Sequence, residues 1–274
     1  MDWKTASRTI FGATMIAIGL VGLVSGRVAS IWQPMPETLP GREILIYVTA
    51  VVLLASGVGL LVKRTAAPAA LLLLITLIVW TALFKFPSII RAPLVEGPYQ
   101  SNGENAVLIA GAWILYGWSA DSPKRIIPQI FAGAGGLRIA YRLYGLALIA
   151  FGLSHFFYLS LTAPLVPAWL PPGPVFWAYF TGSVYVATGI ALISGVAARA
   201  GAVVAAVEIT LITFFVWGAR VLAGHMTAFN QQETILSWAL TAASWVLAAS
   251  FVGQPWLGRQ AFSAPFQRAT AAAR

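Results

Sequence analysis

The chain contains no cysteine and little charge. Without cysteine there is no disulfide, no thiolate nucleophile, no cysteine-held iron–sulfur cluster and no paired-thiol electron relay. Thiol redox chemistry carried by this chain alone is therefore excluded. Asp, Glu, Lys and Arg make up 9% of the 274 residues, against about a quarter in a soluble domain. Histidine occurs twice, with no His-x-x-His or Glu-x-x-His pair, so no metal site is expected. A Gly-Lys-Ser/Thr phosphate loop is also missing, as is a Ser–His–acid triad in a supporting context.

What is abundant is apolar, 59% of the residues. Runs of about twenty such residues can each cross a bilayer. They fall at Arg8–Gly26, Glu43–Lys63, Ala67–Pro87, Asn105–Ala120, Leu137–Leu159, Val175–Val196, Gly201–Leu222 and Glu233–Val252. The fourth is the shortest. Lys4 and Arg8 ahead of the first run, with Val28-Ala29-Ser30 after it, resemble a secretory signal. The run is long for a signal and has a copy in mid-chain, so it reads as a retained helix.

The net charge of +9 describes topology rather than a nucleic-acid partner. With the N-terminus placed in the cytoplasm, twelve Lys and Arg fall on that side: Lys4, Arg8, Lys63, Arg64, Lys124, Arg125, Arg138, Arg142, Arg199, Arg259, Arg268 and Arg274. Five fall opposite: Arg27, Arg42, Lys85, Arg91 and Arg220. This asymmetry follows the positive-inside rule and puts both termini in the cytoplasm.

The apolar pattern repeats. Ile10-Phe11-Gly12 and Ile16-Ala17-Ile18-Gly19-Leu20 match Leu143-Tyr144-Gly145 and Ile149-Ala150-Phe151-Gly152-Leu153, 133 residues on. At an offset of 132, Tyr47-Val48-Thr49-Ala50 matches Tyr179-Phe180-Thr181-Gly182, and Trp113 matches Trp245. Four crossings per half is an even number, so the halves run parallel, related by an axis along the membrane normal. The expected fold is all-α, with eight transmembrane helices in two parallel-repeat four-helix bundles. Residues 1–120 form the first repeat, 121–136 a cytoplasmic linker, 137–253 the second repeat and 254–274 a basic tail drawn to anionic lipid. Gly12/Gly19 and Gly145/Gly152, seven apart, mark faces where helices approach closely.

Glu208 is the sharpest candidate for chemistry. It lies within the seventh run, roughly 10 Å from the cytoplasmic end at about 1.5 Å per residue. A charge near a helix centre costs on the order of 2.5–3.5 kcal/mol to insert, so such acids face a protein interior or a wet cavity. A proton-handling or ligand-binding carboxyl and a simple helix-packing contact weigh about equally there. Thr188, at similar depth, would orient it. The first half has Leu74 at the corresponding place, so this site belongs to the second half alone. His155, near the outer end of the fifth run, and His225, in the outer loop after the seventh, come together with Arg220 and Glu233 in a small outward-facing pocket. An interfacial hydrogen-bonded histidine is the plainer alternative. The outer stretch Val166 to Pro174 reads as a proline-stiffened cap with Trp169 and Trp177 at headgroup level, and Trp32 as its looser counterpart.

The second half resembles the DoxX-like family of small four-helix membrane proteins. The resemblance rests on Gly152-Leu153-Ser154-His155-Phe156, on Val166-Pro167-Ala168-Trp169-Leu170-Pro171, and on Tyr179-Phe180-Thr181-Gly182 followed by Gly189. Relatives carry an acid shortly after the Ser/Thr-Gly pair, where this chain has Tyr185. The resemblance implies a bacterial-type cytoplasmic membrane protein, linked in some members to sulfur or quinone redox complexes. A membrane component of a redox or quinone-linked process, working with partner proteins in the bilayer, is the leading expectation. A proton-coupled small-molecule transporter and a non-catalytic scaffold are the alternatives. No reaction is assigned.

Overall fold

A computed structural model describes residues 2–118, 133–224 and 227–259. Among these residues there is no strand, and eight helices form the body: α1 Trp3–Ser25, α2 Arg42–Leu61, α3 Ala66–Arg91, α4 Gly97–Trp118, α5 Ala134–Phe157, α6 Pro174–Ser194, α7 Ala198–Leu222 and α8 Ala228–Ser250. Local chemistry sets several ends. Asp2 accepts from the Thr5 N–H at 2.7 Å to cap α1, and Thr227 accepts from Asn230 N–H at 3.1 Å to cap α8. Gly26 and Gly195 close α1 and α6 in the left-handed conformation, and Pro174 opens α6.

Six helices are long and apolar enough to cross a membrane: α1, α2, α3, α5, α6 and α7. The other two depart from the expected eight apolar runs. α4 and α8 have 22 and 23 residues, long enough at about 1.5 Å each, but their polar content is higher. Their position explains it. α8 packs on α1, α4 and α7, and α4 on α3, α5 and α8, so both face protein on most sides. Helices shielded from lipid need not be apolar all round. α4 also starts at Gly97, two turns before the expected Asn105, and so brings Gln100 and Glu104 into the body.

The two halves of the chain pack against each other at two seams. α4 packs against α5, the opening helix of the second half, and α8 packs against α1, the opening helix of the first. With α4 and α8 touching each other, the eight helices close into one body.

The glycine faces act where expected. A Cβ on Gly12 would stand 2.9 Å from the Gly57 carbonyl oxygen, and one on Gly145 would stand 2.7 Å from that of Gly189. Backbones of α1 and α2, and of α5 and α6, therefore cross in direct contact, as small residues permit. The outward faces carry Val51, Leu72, Ile78, Leu146, Ile190 and Leu211, all exposed.

Both α3 and α7 widen into π-helical turns, at Thr81–Lys85 and Thr213–Gly218. In α3 the widening precedes Pro87, which has no N–H and whose ring crowds the preceding turn. Each segment begins on a threonine bound to its neighbouring helix. Thr81 Oγ1 accepts from Asn105 Nδ2 at 2.9 Å, and Thr213 Oγ1 lies 2.8 Å from Thr241 Oγ1.

Candidate functional site

Lys85 ends the apolar run of α3 and cannot face lipid as a charge. It turns inward instead, 2% exposed, and its Nζ donates to the Ser101 carbonyl at 2.8 Å and to Glu104 Oε2 at 3.2 Å. The two residues form a salt bridge between α3 and α4. Asn102 Nδ2 donates to the Lys85 carbonyl at 3.1 Å, holding the backbone left loose by the π turn. Glu233, in the second turn of α8, interacts electrostatically with both Glu104 and Lys85. Two carboxyls and one ammonium thus share one buried neighbourhood.

Across from them stands the end of α5. Ser154 Oγ donates to Glu96 Oε1 at 2.7 Å and lies 2.8 Å from Gln100 Oε1, tying α5 to the start of α4. Burial pushes the Glu96 carboxyl above its usual value, with the Ser154 hydrogen bond opposing. His155 follows, half-buried, and neither ring nitrogen has a hydrogen-bond partner among the described residues. Its ring lies 5.8 Å from that of Tyr185 at an interplanar angle of 28°. Gly182 makes the room, since a Cβ there would stand 2.8 Å from His155 Cβ.

Between the two clusters lies a cavity of about 180 Å³. Glu104 and Gln100 line it from α4, Ser154, His155 and Phe151 from α5, Thr181 and Tyr185 from α6, Trp217 from α7, and Glu233 and Ser237 from α8. It lies at the end of the bundle where α5 and α7 finish and α4, α6 and α8 begin. Tyr185 is 5% exposed, and its hydroxyl makes no hydrogen bond to a described residue.

The first half is filled where the second is hollow. α3 and α7 begin at Ala66 and Ala198 and widen at Thr81 and Thr213, an offset of 132 that sets Glu208 against Thr76 rather than the expected Leu74. Ile209, Ile212 and Val216 line the cavity, and 132 residues before them stand Leu77, Trp80 and Phe84. Trp32, wholly buried, meets Trp80 at 5.1 Å between ring centroids, and Trp80 meets Phe84 at 4.6 Å. Trp80 Nε1 also donates to the Trp32 carbonyl at 2.8 Å. Trp32 is thus a core residue rather than a counterpart of the outer Trp169, which is exposed.

The sequence candidates separate around this cavity. His155 lines it, as does Glu233, which the expected outer pocket included. Glu208 is not among the lining residues. It is half-buried on α7, its Oε2 has no partner among the described residues, and it interacts electrostatically with Tyr185. Thr188 spends its hydroxyl on its own helix, at 2.8 Å from the Val184 carbonyl and 3.1 Å from that of Tyr185. Arg220 Nη2 donates to the Pro164 carbonyl at 3.1 Å, tethering the loop after α5. His225 lies outside the described residues. Among the described residues no three His, Asp or Glu are grouped to hold a metal ion.

Sequence reasoning missed Lys85, Glu96, Gln100, Glu104 and Tyr185. The available signal was Lys85, a lysine inside an apolar run, which implied a buried acid nearby. The site is also not confined to the second half, because Gln100 and Glu104 come from the first.

Residues 137–218 match the family model of DoxX. Over that stretch the chain is similar to DoxX. With its apolar helices, this makes it a multi-pass membrane protein in contact with the lipid bilayer. No curated protein and no solved structure matches the chain. The DoxX-like segment contains the ring side of the cavity, His155, Tyr185 and Trp217, together with Glu208. Lys85, Glu104 and Glu233 all fall outside it.

Proposed function

We propose that this DoxX-like protein binds a small molecule in the cavity between its two halves, and that Glu104 and Glu233 couple binding to proton movement. The observation that carries this reading is the cavity itself, with aromatic rings on one wall and a buried charge cluster on the other. A cavity of about 150 Å³ accepts benzene, so this one is of single-ring size. Proton-coupled transport or export is the activity such a site suits best.

The setting is a bacterial cytoplasmic membrane crossed eight times, with both termini inside and the cavity toward the outer face. The excess of Lys and Arg on the inner side supports that orientation. Two tandem four-helix repeats, 1–120 and 137–253, account for the paired glycine crossings and for the threonine at the start of each π turn. Residues 121–136 link them and 254–274 form a basic tail.

A second reading is favoured by His155 and Tyr185, two free polar groups at the cavity wall. These suit the carbonyl oxygens of a quinone headgroup, as a redox component with partner proteins would require. Proteoliposomes holding a pH-sensitive dye decide between the two. Proton movement on addition of ring-sized solutes, lost in Glu233→Gln, supports transport. A bound quinone without solute-driven proton movement supports the redox component.

A further inference from the structure

We infer that the ligand of this cavity is a small organic cation of single-ring size, held by Glu233 against the aromatic wall. The inference rests on the ligand-binding reading above and names the chemical class.

The charged and titratable groups around the cavity are few. Lys85 comes from α3, Glu104 from α4, His155 from α5, Tyr185 from α6 and Glu233 from α8, while Glu96, just before α4, is bound to Ser154. α7 contributes uncharged side chains to the lining, while its Glu208, outside the lining, interacts electrostatically with Tyr185. Lys85 is already committed to Glu104 at 3.2 Å and to the Ser101 carbonyl, so of the two carboxyls that line the cavity Glu233 is the one left over. With both acids ionised, this trio carries one negative charge in excess. An unpaired carboxylate in such a place takes up either a proton or a counter-charge, and the cavity is the open place from which a cation reaches Glu233 and displaces that proton. His155 does not supply it. An imidazolium there would bury two charged donors with no acceptor among the described residues.

The opposite wall has the matching chemistry. Phe151, Tyr185 and Trp217 present aromatic rings to the same space, and ring faces attract cations most strongly where water is excluded. Tyr185 adds a hydroxyl oxygen, 95% of the residue being buried, that no described residue uses. An ammonium head between Glu233 and Tyr185, with its ring against Phe151 and Trp217, would satisfy each of these groups. A neutral ring would gain nothing from an ionised Glu233, and an anion would meet it directly.

The test compares three probes of one size on purified protein in nanodiscs by calorimetry: benzylammonium, benzyl alcohol and benzoate. Benzylammonium is expected to bind at least roughly tenfold more tightly than benzyl alcohol, with benzoate weakest. Glu233→Gln should remove most of that preference. Should that variant fail to fold, Trp217→Leu keeps the carboxyl while removing a ring face, and it should weaken benzylammonium more than benzyl alcohol. A third variant, Ile212→Trp with Val216→Phe, fills the cavity as Trp80 and Phe84 fill the first half, and should abolish binding of all three. Benzyl alcohol binding as tightly as benzylammonium overturns the cation and leaves the cavity reading standing. No binding by any probe overturns both.

Discussion

Lys85 and Glu104 form an ion pair at 3.2 Å, with the lysine side chain 2% and the glutamate 17% exposed. The pair joins the end of α3 to the start of α4 and forms the charged side of the cavity. Removing one partner of a buried pair leaves the other uncompensated, at a cost of about 3–5 kcal/mol. Lys85→Met should therefore lower the thermal midpoint sharply in detergent. Lys85→Met combined with Glu104→Leu should recover most of that loss. Equal loss in the single and double variants would show that the pair is not what the lysine is for.

The paired glycines allow helix axes to cross in backbone contact. Gly145→Ala would place a Cβ 2.7 Å from the Gly189 carbonyl oxygen, and overpacking of this kind costs about 1–3 kcal/mol. Gly97→Ala meets nothing nearer than the Tyr158 hydroxyl at 3.7 Å and should be tolerated. Comparing their unfolding midpoints checks the assignment, and equal midpoints would refute it.

Glu96 gives a pH dependence with a defined sign. Burial raises its carboxyl above the ordinary 4.5, while the Ser154 hydroxyl pulls the other way. The folded chain therefore holds this proton to higher pH than the unfolded chain. The group's contribution to stability is complete below about pH 4.5 and is lost as pH rises through its folded value. The wild-type midpoint should fall over that interval more steeply than that of Glu96→Gln. Identical slopes in the two proteins would remove Glu96 from the account.

Topology can be read by single-cysteine labelling without interference, because the chain has no cysteine of its own. On the proposed orientation Leu94, 99% exposed between α3 and α4, lies outside, and Lys63, exposed after α2, lies inside. Leu94→Cys should react with a membrane-impermeant maleimide on intact cells. Lys63→Cys should react only after permeabilisation, and the reverse pattern would invert the orientation.

The spans were legible in the sequence wherever helices face lipid, because lipid demands unbroken apolar runs. α4 was misplaced for the opposite reason: protein surrounds it, so Gln100 and Glu104 could enter the body without breaking any rule. The close glycine crossings were legible from spacing alone. The cavity was not, because a hollow depends on what fails to fill it. Ile212 and Val216 read as ordinary apolar residues until compared with Trp80 and Phe84, which occupy the corresponding space with Trp32. His155 was found by its rarity. Glu208 drew attention by the same logic, yet Tyr185 is the residue of that region with a free hydroxyl on the cavity.

The most direct test of ligand binding between the halves is native mass spectrometry of gently solubilised protein beside the filled variant, Ile212→Trp with Val216→Phe. The account predicts a small molecule near one-to-one on the wild type and its absence from the variant. An adduct retained equally by both proteins, or absent from both, would contradict it.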